Sequence, residues 1–175
     1  MTSPYPTWIE IDLPAITGNC ARILSDTGTA LMAIVKGDAY GHGAVEVSRA
    51  ALQGGASWLG VARFGEARIL RQNGIRAPIL VLGMVTPDEV DQAIASDVTL
   101  TLHSMETLRL FSARARAARR AVSVHLKVDT GMGRLGLFAE EIIAFTVQAQ
   151  RVGEIQVDGL YSHLAAAEEQ NPLNE

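Results

Sequence analysis

Leu31-Met-Ala-Ile-Val-Lys-Gly-Asp-Ala-Tyr-Gly-His-Gly43 sets the reading of the chain, because an uninterrupted apolar run passes directly into a lysine and then a glycine-rich turn. A run this short and continuous fits a strand buried on both faces, as in a parallel sheet; a half-solvated strand would alternate. Short, largely apolar runs recur as further strand candidates at Trp58 to Ala62, Ile79 to Leu82, Val98 to Leu102, Val122 to Val128 and Val157 to Tyr161.

Helical patterns lie between these runs. Thr86-Pro87-Asp88-Glu89 has capping-box spacing with proline at the first helical position, and Val90 and Ile94 follow on one face. A helix opening near Asp12 and Pro14 carries Ile16, Cys20, Ile23 and Leu24; another follows Phe64 and stops at Asn73-Gly74; Ile142, Phe145, Ala149 and Val152 mark a third buried stripe. Strand and helix thus alternate about six times at roughly 20 to 35 residue intervals, the spacing of successive βα units. The architecture expected is α/β. A doubly wound sheet is one solution, but no GxGxxG follows the first strand. The other is a (β/α)8 TIM-type barrel, of which about six units would be the N-terminal portion. The stretch Glu168 to Glu175 reads as a loop after a strand, which makes the chain a fragment on this reading.

With 175 residues and 48% apolar content the chain can bury a substantial core, and one domain over 1–175 is the default. A net charge of −4 offers no overall attraction to phosphate backbones, so small molecules rather than nucleic acid are the expected partners. The single cysteine, Cys20, cannot form an internal disulfide and reads as a buried apolar position. The first residues lack a basic start and an apolar core, and no later run approaches membrane-spanning length, so a cytoplasmic protein with no membrane association is expected.

In a barrel, groups at the C-terminal ends of strands face the active site, and Lys36 falls at such an end. A lysine partly withdrawn from water holds its proton less tightly, and the neutral amine can condense with an aldehyde; the alternative is a solvated lysine opening a loop. Tyr40 can offer its hydroxyl to a phosphate while Gly41 and Gly43 permit close backbone approach, or it packs over the strand end. His42 reads as locally structural. The second segment, His125-Leu-Lys-Val-Asp-Thr-Gly-Met-Gly-Arg-Leu-Gly136, presents Arg134 from a glycine-rich loop, either to an anion or in an ion pair with Asp129. The third, Val157-Asp-Gly-Leu-Tyr-Ser-His163, places an imidazole at a strand end, and it is the convergence of three strands on one rim that favours chemistry. Arg114 to Arg120 reads as a solvated helix end, His103 as part of a helix start, and His125 as packed within its strand.

At these residues the sequence resembles the alanine racemase family. Val35-Lys-Gly-Asp-Ala-Tyr-Gly-His-Gly43 is similar to the family's cofactor-lysine signature, with Gly37 where alanine is more usual. Lys127-Val-Asp-Thr-Gly-Met-Gly-Arg134, Gly159-Leu-Tyr-Ser-His163 and Trp8-Ile-Glu-Ile-Asp12 resemble further family segments in family order. The resemblance implies pyridoxal 5'-phosphate as cofactor, with Lys36 forming the internal aldimine and acting as one catalytic base, and with Tyr40 at the phosphate. It implies Arg134 at the phenolic oxygen and the substrate carboxylate, His163 beside the pyridine ring, carbamylation of Lys127, and no metal. It also implies interconversion of L- and D-alanine for peptidoglycan by a homodimer, whose opposing base is a tyrosine in a C-terminal β domain absent from this chain. A fragment lacking that base is expected to be nearly inactive alone. A racemase of broader substrate range and a non-catalytic cofactor-binding barrel are the alternatives.

Overall fold

The structure is a computed structural model that describes residues 7–168. Apart from Glu168, the expected terminal loop lies outside the described residues. The chain divides into two compact units, the first ending at Pro78 and the second beginning at Ile79.

The first unit opens with α1, Leu13–Thr27, which starts where the Asp12 carboxylate accepts the Ala15 N–H at 3.0 Å. Gly28, at φ 63°, ends it by returning its N–H to Leu24 O. Then come β1 (Met32–Ile34), a short segment α2 (Lys36–Gly41), α3 (Ala44–Gln53), β2 (Trp58–Val61) and α4 (Phe64–Gln72). Strands β1 and β2 pair in parallel, with Met32 opposite Trp58 and Ile34 opposite Gly60. Leu59, Val61 and Leu70 are wholly buried, each contributing about 1.5–3 kcal/mol relative to an exposed side chain. Cys20 is buried, as expected, against Ala51 and Ala56, with Ile16, Leu31 and Ala33 packed around them. Burial also pushes its thiol pKa up.

The second unit contains β3 (Ile79–Val81), α5 (Pro87–Ala95), β4 (Thr99–Leu102), α6 (Met105–Ala118), β5 (Val122–Lys127), a 3-10 turn (Ala139–Glu141), α7 (Ile142–Gln150) and β6 (Ile155–Tyr161). Its strands pair in parallel and in chain order, β3 to β4 to β5 to β6. Thr86 and Ser104 cap α5 and α6 with their hydroxyls. The arginine-rich end of α6 is solvated, as expected, with Arg114, Arg116 and Arg120 paired to Asp91, Glu154 and Asp97.

Continuous burial holds for β3 and β4 but not for every strand. Ile34 in β1 is exposed, and β6 alternates between more and less exposed residues. A register shift in β6 sets Val124 opposite Val157 but His125 opposite Gly159, leaving Asp158 as the extra residue. Glycine is needed there, since a Cβ on Gly159 would stand 2.8 Å from the His125 ring. His125 is packed within its strand as expected, and burial lowers its pKa. No helix among the described residues is long and apolar enough to cross a membrane.

The two helices α1 and α3 approach closely because Gly54 has no side chain: a Cβ there would lie 2.4 Å from Thr17 O and 2.8 Å from Cys20 Cβ. Its φ of −77° suits any residue, so Gly54→Ala isolates the packing clash. Urea denaturation of this variant is expected to show a loss of about 1–3 kcal/mol as α1 shifts to relieve the overlap.

Candidate functional site

Parallel pairing turns the C-terminal ends of the strands within a unit to the same side, and the candidate residues follow those ends. The chain has two lysines, Lys36 and Lys127; one stands just beyond β1 and the other is the last residue of β5.

In the first unit, Lys36 begins α2, which is not an ordinary helical turn. Gly37, Asp38, Ala39 and Tyr40 have φ values of 59°, 55°, 52° and 56°, so the chain makes a left-handed turn. This costs on the order of 1–2 kcal/mol for each non-glycine residue. Hydrogen bonds hold the turn: Ala39 N–H donates to Val35 O, and Gly43 N–H to Asp38 O, both at 2.9 Å. The Asp38 carboxylate accepts the Ala44 N–H at 2.7 Å, which starts α3 in place of a capping residue at Gly43. At the other end, Glu66 Oε1 accepts the Gly37 N–H at 2.6 Å. His42 has the local role expected of it, with Nδ1 2.9 Å from Ala39 O.

The turn brings Lys36 and Tyr40 together, with the lysine Nζ 5.8 Å from the centre of the tyrosine ring. Among the described residues Lys36 has no carboxylate partner, which leaves its amine available for carbonyl chemistry.

In the second unit, Lys127 is buried, and its Nζ lies 4.5 Å from the centre of the Tyr161 ring. The Tyr161 hydroxyl shares a 2.7 Å hydrogen bond with Thr101 Oγ1 and donates to Leu82 O at 3.3 Å, while Thr101 Oγ1 donates to Val81 O at 2.7 Å. Burial pushes this phenol up, so Tyr161 keeps its proton and forms a fixed floor beneath the amine. Lys127 itself is pushed down, first by burial and then by the positive charge of Arg134, against an opposing contribution from Asp129. An amine so placed is neutral at lower pH than an ordinary lysine.

Arg134 lies on the loop between Lys127 and Leu137. Two backbone bonds close that loop: Leu137 N–H to Lys127 O at 2.8 Å, and Asp129 N–H to Leu137 O at 2.9 Å. Gly136 has φ 144°, and a Cβ there would come 2.5 Å from Asp129 N, so no other residue fits. The Asp129 carboxylate accepts the N–H groups of Gly131 and Gly133, each at 3.0 Å, and these bonds hold its pKa below the usual range. It therefore stiffens the loop through the backbone. The ion pair with Arg134, open from the sequence, is not formed, and Arg134 makes no ion pair among the described residues.

Ser162 donates to Val128 O at 2.9 Å and accepts from Thr130 at 2.6 Å, joining the chain after β6 to the chain after β5. His163 follows, exposed. The structure therefore groups Lys36 with Tyr40, and Lys127 with Arg134 and Tyr161, each within its own unit; His163 makes no hydrogen bond among the described residues. Sequence reasoning missed Glu66 and the capping role of Asp38. Glu66 lies three residues after Arg63, which is not a capping residue type, so no capping box announced it.

Three outcomes test this geometry. Gly37→Ala places a methyl where nothing lies within 4 Å, so only the positive φ resists it; urea denaturation is expected to show a loss of about 1 kcal/mol. In competitive amine labelling across pH, Lys127 is expected to reach half-maximal reaction below the ordinary lysine value of about 10.4. Arg134→Gln, which removes the neighbouring positive charge, should move that midpoint upward.

An alanine racemase from Beutenbergia cavernae is 46% identical over 169 residues, covering 94% of this chain and 45% of that protein. The structure of an alanine racemase from Clostridium difficile 630 in complex with cycloserine superposes with a TM-score of 0.88 at 33% identity, covering 97% of this chain and 48% of that one. A histidine racemase from Leuconostoc mesenteroides subsp. sake superposes with a TM-score of 0.84 at 27% identity, over 91% of this chain and 43% of that one. The chain spans less than half of the length of the curated relatives compared, 43–46%. The expected α/β fold, built from the βα units of a partial TIM-type barrel, stands. The family model for the N-terminal domain of alanine racemase matches residues 11–175, across both units, and the chain belongs to that family.

Proposed function

We propose that this chain is the pyridoxal-phosphate-carrying part of an alanine racemase that interconverts L- and D-alanine, supplying D-alanine for peptidoglycan in the cytoplasm. The observation that carries the reading is Lys36: an amine at a strand end, on a strained turn held by two carboxylates, facing a tyrosine ring and, among the described residues, no acidic partner. Strain kept at such a position is characteristic of functional sites. The family match across both units supports treating residues 1–175 as part of one cofactor-binding domain.

The residues present fit the cofactor's needs. Lys36 Nζ would hold the cofactor covalently, and the Tyr40 hydroxyl would face its phosphate, approached by the backbone of the glycine-rich turn. Arg134, with no ion pair among the described residues, would bind the phenolic oxygen and the substrate carboxylate through its planar fork of donors. His163 would lie beside the pyridine ring. Lys127, buried and pushed toward its neutral form, suits carbamylation, and the negative charge so gained would hold Arg134. When bound, pyridoxal phosphate withdraws the electron pair left at the substrate's α-carbon.

The amine of Lys36, when free, would take the α-proton on its own face or return one there. Inversion needs a second base on the opposite face. Tyr161 is unsuited to that task, because its hydroxyl is bound to Thr101 and its proton is held tightly. We assign the second base to the partner subunit of a homodimer.

The test is reductive trapping. Incubation with pyridoxal phosphate followed by borohydride and peptide mass mapping is expected to place the added mass on Lys36, and Lys36→Ala to abolish it. Mass on Lys127 alone, or none in a folded sample, would overturn the reading. The likeness to a histidine racemase favours one second reading, an amino-acid racemase of broader range. Comparing α-deuterium exchange with alanine, serine and histidine separates the two, with alanine fastest under the proposal.

A further inference from the structure

We propose that Glu66 is a positioning residue for Lys36, acting through the Gly37 peptide; the inference rests on the reading of Lys36 as the cofactor lysine. Glu66 stands in the first turn of α4, and its two oxygens have different tasks. Oε2 accepts the N–H groups of Ala62 and Arg63, at 2.8 and 3.0 Å, which satisfies backbone at the start of the helix. Oε1 reaches a residue 29 positions away in sequence, the Gly37 N–H, at 2.6 Å. Capping requires only the first set of bonds.

The second bond fixes the peptide that leaves Lys36, and that peptide is also the first of the left-handed turn. Rotation about it would swing the Lys36 side chain and its amine. The turn has reason to rotate, because Asp38, Ala39 and Tyr40 all hold positive φ angles that side chains disfavour. Asp38 secures the far end through Ala44, a bond local to the turn. Glu66 secures the near end from a separate βα unit, tying the chain after β1 to the chain after β2. A carboxylate accepting backbone N–H groups makes charge-assisted bonds, stronger than those between neutral groups.

Two variants separate positioning from capping. Glu66→Asp keeps a carboxylate in the first helical turn, where it still caps, but is one methylene too short for Gly37. Glu66→Gln keeps the reach and loses the charge. Each is loaded with pyridoxal phosphate, the affinity for Lys36 is measured by borohydride trapping, and circular dichroism in the bound chromophore's absorption band is recorded per mole attached.

With Glu66→Asp, affinity is expected to fall about ten-fold or more, as for loss of a charged hydrogen bond, and the dichroism per chromophore to weaken, with the melting temperature little changed. Glu66→Gln is expected to be intermediate. If the wild-type chain loads Lys36 and Glu66→Asp matches it in affinity and dichroism, the inference is overturned and the cofactor reading stands. It is equally overturned if both variants lose affinity only in step with a lost melting transition. A wild-type chain that does not load Lys36 removes the cofactor reading, and the inference with it.

Discussion

Parallel strand pairing is the constraint on which the rest of this structure depends. A strand can lie parallel to its sequence neighbour only if the chain crosses back between them, and here helices make the return. The returning helices cover the strands, which is why β3 and β4 are buried without interruption. Pairing also gives each unit a side on which all strands end. A side chain placed at a strand end is then displayed by the fold, and local devices need only aim it.

Those devices share one physical theme, a carboxylate turned toward backbone N–H groups rather than toward a cation. Glu66 accepts from Gly37, Ala62 and Arg63; Asp38 from Ala44; Asp129 from Gly131 and Gly133. Used this way, a carboxylate holds irregular loops in shape and leaves neighbouring cations uncommitted. Lys36 and Arg134 are the beneficiaries. Glycines at 136 and 159 do the complementary work of letting backbone or a ring pass where a Cβ would collide.

Much of this was legible in the residues. The apolar runs located the six strands of the described residues, and capping chemistry at Asp12 and Thr86 located helix starts, because these signals depend on neighbours in sequence. The start of α3 was not legible, since Gly43 offers no side chain and the capping group comes from Asp38 within the preceding turn. The handedness of the turn after Lys36 was likewise hidden, because Asp, Ala and Tyr do not favour positive φ and only the assembled hydrogen bonds hold them there. The choice between an Arg134 ion pair and a free guanidinium turned on which way the Asp129 carboxylate faces, which depends on the loop's backbone path rather than on spacing.

The placement of both lysines at strand ends has a consequence for chemical selectivity. Every other cationic side chain in the sequence is an arginine, and a guanidinium is not a free amine. A reactive carbonyl compound diffusing over this surface therefore meets one accessible lysine amine in this sequence, that of Lys36, because Lys127 is buried. Discrimination against stray adducts is achieved by scarcity, before any pocket has to recognise what arrives.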